Sequence, residues 1–165
     1  MSAPGVAARV LGAAELEALA REVAADPAAW ASAVEHRADR RTYALLRDDA
    51  SVTVWLICWS PGHDTGFHDH DRSSAGIAVA AGEIVDERLA LRGEPVRRRL
   101  GVGQATTVEP AEIHRIHHAG DAPAVSVHAY SPPLRRTGAY EVADDGRLLR
   151  FAQDGDEELA PRAAG

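Results

Sequence analysis

The sequence predicts an all-β domain, an antiparallel jelly-roll barrel or sandwich with two short N-terminal helices packed outside it. Three observations predict it. From about residue 42 the chain breaks into short runs rich in β-branched and apolar residues. The segments between them, RDDAS, SPGHD, RGEP and AGDAP, carry turn chemistry. The whole chain of 165 residues, 45% hydrophobic, suits one domain with one core.

The elements follow in order. In GAAELEALAREVAAD, Leu16, Leu19, Ala20 and Val23 recur at helical spacing while Glu15, Glu17 and Arg21 lie off that face, which predicts an amphipathic helix. Pro27 suits the first turn of a second short helix, AAWASAVEH. Strands are predicted in TYALL, VTVWLICW, GIAVAAG, EIVDERLAL, VRRRL, ATTVEP, IHRIHH and AVSVHAY. The final QDGDEELAPRAAG is polar and acidic and predicts a loose tail. The expected boundaries are a helical cap over 1–40, a barrel over 41–151 and a flexible acidic tail over 152–165.

The net charge of −7 argues against a nucleic-acid surface, and VRRRL reads as a solvated strand face. No apolar run approaches the ~20 residues needed to span a bilayer, and no basic, apolar leader opens the chain. A single cysteine, Cys58, forms no internal disulfide and agrees with a reducing cytoplasm. Val52, Val54, Leu56 and Cys58 alternate on one strand face, so Cys58 reads as a small buried hydrophobe.

The stretch WSPGHDTGFHDHDRSSAG concentrates three histidines and three aspartates. In an extended segment, residues two apart share a face, so His68 and His70 aim together and one metal ion can take both imidazoles. A later strand offers His114, His117 and His118. His114 follows the EPAEI turn, where a strand would enter the barrel mouth, and is the favoured third ligand; His117 and His118 read as surface residues.

These residues resemble a known pattern. Gly62, His68, His70 and Gly82 match the first cupin motif in register, while its glutamate position falls on Ser74 or Ala75. CWSPGHDTGFHDH and IHRIHHAGDAPAVSVHAYSPPL are similar, in order, to segments of the cysteine dioxygenase family of thiol dioxygenases. The resemblance spans roughly residues 43 to 134. It implies a cupin barrel that holds non-haem iron(II) through three neutral histidines, matched to His68, His70 and His114, with O2 as co-substrate and a small thiol as substrate. Three protein ligands leave open positions for the thiol and for O2. The product implied is a sulfinic acid. Tyr130, His128 and Ser126 alternate along SVHAY, and the resemblance gives the three a hydrogen-bonded catalytic role beside the substrate.

The chain departs from that family in two places. Ala75 stands where some members carry a tyrosine-crosslinked cysteine. Tyr43 matches a substrate-side tyrosine, but Leu45 occupies the position of the arginine that binds the substrate carboxylate. Arg41 and Arg47 flank Leu45 and are candidates to supply the charge, as are Arg135 and Arg136. His63 and Asp64 are expected at the pocket mouth, His36 on the surface, and Trp30, Trp55 and Trp59 in packing. The competing readings are a cupin metalloenzyme of other chemistry, with another metal, and a non-catalytic metal or small-molecule sensor.

Overall fold

Leu16, Ala20 and Ala24 lie four residues apart and form the buried stripe of α1, Ala13–Ala25, in a computed structural model that describes residues 8–159 and 161. The Glu15 carboxylate caps the helix by accepting the Gly12 N–H at 2.9 Å. Asp26 ends it and caps α2, Pro27–Trp30, by accepting the Ala28 N–H at 3.1 Å. The second helix is shorter than AAWASAVEH suggests: it passes into a 3-10 turn, Ala31–Ala33, and His36 lies exposed beyond it.

The strands are β1 (Thr42–Asp48), β2 (Thr53–Trp59), β3 (His68–Asp69), β4 (Ser74–Ala81), β5 (Glu83–Arg88), β6 (Val96–Leu100), β7 (Ala105–Val108), β8 (His114–Ala119), β9 (Ala124–Ser131), β10 (Arg136–Val142) and β11 (Leu148–Asp154). They form a five-stranded sheet ordered β1-β2-β9-β4-β7 and a six-stranded sheet ordered β11-β10-β3-β8-β5-β6. All pairings are antiparallel, and the architecture is the expected cupin jelly roll.

The five-stranded sheet has two apolar faces because its strands are flanked on both sides. Val52, Val54, Leu56 and Cys58 face α1, while Ile57, Trp59, Ile77 and Val79 point into the barrel. The helix lies directly on β4: a Cβ on Gly76 would sit 2.2 Å from the Leu16 carbonyl carbon, so only glycine admits this approach. VRRRL is an edge strand whose residues 96 to 99 are exposed.

Two strands, β10 and β11, had no counterpart in the sequence expectation. β11 alternates exposed and half-buried residues and begins on an exposed Leu148, so its apolar signal is weak. It continues to Asp154, which places the 151/152 boundary inside a strand. Residues 155–159 then lie across the barrel mouth, so this part of the expected loose tail is packed; residues 160 and 162–165 fall outside the described ones.

Candidate metal centre

β3 is only two residues long, yet it lies between β8 and β10, with His68 opposite both His114 and Ala139. That register brings the three imidazoles together inside the barrel. His70 Nε2 is 3.2 Å from His68 Nε2 and 3.3 Å from His114 Nε2. One nitrogen from each ring lies within 4.8 Å of the others, and all three residues are buried.

Burial removes water from these rings and disfavours their charged form. It lowers His68 from 6.5 to about 4, and burial together with the neighbouring histidines holds His70 and His114 well below the ordinary range. All three are neutral at pH 7. His68 Nδ1 donates to the Gly66 carbonyl at 3.0 Å, and His114 Nδ1 donates to Asp86 Oδ1 at 2.7 Å. With their protons on Nδ1, both rings turn bare Nε2 lone pairs toward each other and toward His70. Two bare lone pairs thus converge on His70 Nε2, whose own Nδ1 is buried without a hydrogen-bond partner, and three neutral imidazole nitrogens meeting this way make a donor set that fits a divalent metal.

Asp69, between two of the ligands, is held from outside the barrel. Arg150 on β11 donates to both its carboxylate oxygens, at 2.8 and 2.9 Å, and Tyr140 donates to Oδ2. Burial alone would raise the Asp69 carboxyl; the Arg150 and Tyr140 hydrogen bonds override it and bring it down to about 2. Arg150 reaches Asp69 across β10 at Gly138, where a Cβ would lie 2.2 Å from its Nε. The short strand β3 is therefore pinned by a bidentate ion pair.

The opposite wall belongs to β9. Trp59 Nε1 donates to Ser126 Oγ at 2.8 Å, Ser126 Oγ is 2.7 Å from His128 Nε2, and His128 Nδ1 is 3.3 Å from Tyr130 Oη. The direction of this chain follows because the indole N–H can only donate and His128 Nε2 is the one acceptor the described residues offer to the Ser126 hydroxyl proton. Ser126, fully buried, then gives its own proton to His128 Nε2, and His128 donates from Nδ1 to Tyr130. Tyr130 keeps its hydroxyl proton for the cavity. Burial supports these states, lowering His128 to about 3 and raising the Tyr130 phenol above its usual value. The Tyr130 and His70 rings meet edge to face at 5.0 Å.

Between the walls is a cavity of about 70 Å³, lined by His68, His70, His114, His128 and Tyr130 and, toward β1 and β2, by Tyr43, Trp55 and Leu134. Arg41, just before β1, lies behind Tyr43 and is not part of the lining. Its side chain is buried, its Nε donates to Tyr43 Oη at 2.8 Å, and its guanidinium lies 5.2 Å from the Trp59 ring. Leu45 is half exposed at the rim.

Arg47 does not join them. A β-bulge between Leu45 and Arg47 breaks the alternation, and Arg47 turns to solvent to pair with Asp49 at 2.7 Å, which corrects its candidacy as a substrate contact. Arg135 and Arg136 are likewise exposed. His117 and His118 lie away from the triad, with ring nitrogens against the His118 and Ala122 carbonyls. His63 bridges the Ser60 N–H and the Ala38 carbonyl, and Asp64 accepts from the Gly66 N–H, so both shape the loop before β3.

Several residues beside the site were not singled out in the sequence. Asp86 had a signal: it alternates with the buried Ile84 on β5, which puts a carboxylate on an inward-facing position. Trp59 is expected from the sequence only in packing, and its indole N–H also donates to Ser126. Arg150 and Tyr140 had no signal, because their strands were not foreseen.

A jelly roll with three inward imidazoles defines a cupin with a candidate metal centre. The cysteine dioxygenase type I family model matches residues 6–143, and the chain belongs to that family. It is 26% identical to human cysteine dioxygenase type 1 over 137 residues, covering 77% of this chain and 68% of the human protein. The zebrafish (Danio rerio) enzyme is 23% identical over 141 residues, covering 77% and 69%. Among solved structures, a conserved protein with a double-stranded β-helix domain from Klebsiella pneumoniae matches with a TM-score of 0.55 at 14% identity, covering 73% of this chain and 91% of that one. The Schizosaccharomyces pombe Cnp3 cupin domain matches at 0.51 and 12%, covering 61% and 65%. Among the described residues, no helix is long and apolar enough to cross a membrane.

Proposed function

We propose that the protein is an iron(II)-dependent thiol dioxygenase, which adds both atoms of O2 to the sulfur of a small thiol such as L-cysteine to give a sulfinic acid. The observation that carries the reading is the set of three neutral imidazoles, Nε2 inward, with the Tyr130 hydroxyl on the opposite side of the same cavity. Iron(II) held by His68, His70 and His114 would supply the open coordination positions and the electrons through which thiolate and O2 combine. The balance is RSH plus O2 to RSO2H, with no further reductant.

The chain's own residues orient and stabilise. Tyr130 donates its hydroxyl proton toward the oxygen side of the cavity, and its raised pKa keeps that proton in place at neutral pH. His128 fixes the Tyr130 orientation, with Ser126 and Trp59 holding His128 in one tautomer. Arg41 and Tyr43 anchor the substrate's carboxylate, in place of the arginine replaced by Leu45. The three imidazoles leave the full metal charge uncompensated, which favours an anionic thiolate. A cytoplasmic setting, where Cys58 stays reduced, belongs to the same reading.

The test is oxygen uptake by anaerobically iron(II)-loaded protein offered L-cysteine, 3-mercaptopropionate and cysteamine in parallel. Uptake matched by sulfinate from at least one thiol is expected. Iron retained without uptake from any of them would overturn the reading.

A further inference from the structure

The segment after β11 runs along the cavity and brings the Glu158 carboxylate to Arg41, which lies behind the lining residue Tyr43. Gly155, Asp156, Glu157 and Leu159 line the cavity, and the Gly155 N–H donates to the Arg135 carbonyl at 3.0 Å. At the start of β1, Glu158 Oε1 accepts the Arg41 backbone N–H at 3.3 Å and lies 3.9 Å from Arg41 Nη2. The Arg41 side chain is 2% exposed and that of Glu158 39%, so the cation is fixed inside while the carboxylate reaches in from the solvent side.

The pair is loose. At 3.9 Å it is beyond hydrogen-bonding range, and both Nη1 and Nη2 of Arg41 are buried without a hydrogen-bond partner. A buried guanidinium left this way is unfavourable, and a carboxylate bound through both oxygens satisfies it best.

We infer that Glu158 is a specificity-determining residue: in the substrate-free protein it holds the place of the substrate's carboxylate on Arg41, and a carboxylate-bearing thiol displaces it. A thiol without a carboxylate leaves the Arg41–Glu158 pair intact and gains nothing from Arg41. The inference rests on the reading of Arg41 as the substrate's anchoring cation. Because one partner is partly exposed, the competition weakens carboxylate binding only by a small factor.

The test uses propionate, a carboxylate without a thiol, titrated calorimetrically into metal-free wild-type and Glu158→Gln protein. Removing the competitor should tighten propionate binding about threefold, the scale of a partly exposed ion pair, and leave uncharged propionamide unaffected. In iron-loaded protein the KM for 3-mercaptopropionate should fall by a similar factor, with kcat and the cysteamine KM unchanged. Equal propionate behaviour in the two proteins, undetectable binding included, or an equal shift for propionamide, would overturn it. Tighter propionate binding in Glu158→Gln together with no turnover of any thiol would remove the dioxygenase reading and leave the role of Glu158 standing.

Discussion

The two sheets meet the same cavity with different chemistry. The six-stranded sheet carries the three-histidine cluster, in which His68 rests on Gly66, His114 on Asp86 and Asp69 on Arg150 and Tyr140, while His70 Nδ1, just past β3, is buried without a hydrogen-bond partner. The five-stranded sheet carries the Trp59-to-Tyr130 chain, and beside it Arg41 and Trp55 keep buried donors without hydrogen-bond partners. On the proposed function the first wall would hold an ion and the second would orient a substrate. Damage to the first should therefore appear as lost metal, and damage to the second as lost turnover with metal retained.

The largest effect expected is at the triad. His68→Ala, His70→Ala and His114→Ala should each abolish stoichiometric iron binding, measured by elemental analysis after desalting; full retention in any one would remove that residue from the ligand set. Next comes Tyr130→Phe, which should keep its iron and lower kcat about a hundredfold, as expected when a positioned proton donor is lost. Iron content assayed beside oxygen uptake separates the two, and a loss of iron there would erase the distinction between the walls.

A smaller effect tests the clamp from outside the barrel. Arg150→Met should weaken iron about tenfold in a competition with a chelator, since partners of ligand-bearing segments act at that scale. A drop in turnover with unchanged affinity would move Arg150 to the other side of the comparison.

The last effect is on stability, and both walls contribute. Unfolded imidazoles take up protons below about 6.5, while folded His68 resists until about 4 and His128 until about 3. Over that interval the unfolded state binds more protons, so the metal-free protein loses stability as pH falls from 6.5 toward 4 and is insensitive to these groups above 6.5. Thermal melts of metal-free protein across this range check it; a flat profile would mean the rings accept protons in the fold.

The two walls also differed in how much the sequence disclosed. His68 and His70 were legible because strand alternation alone puts them on one face, and Ser126, His128 and Tyr130 for the same reason. His114 needed the spacing of its turn. The substrate end was less legible, since the bulge after Leu45 inverts the parity that made Arg41 and Arg47 look equivalent. Glu158 and Arg150 meet Arg41 and Asp69 across separations of 117 and 81 residues, through a strand with little apolar contrast, and no local pattern encodes such contacts.

The most direct test of the central claim is turnover of the iron-loaded protein under isotopically labelled O2, with the sulfur product analysed by mass spectrometry. The account predicts a sulfinic acid in which both oxygens carry the label and Tyr130→Phe makes it far more slowly. Disulfide as the sole product, or a sulfinate whose oxygens come from water, would contradict it.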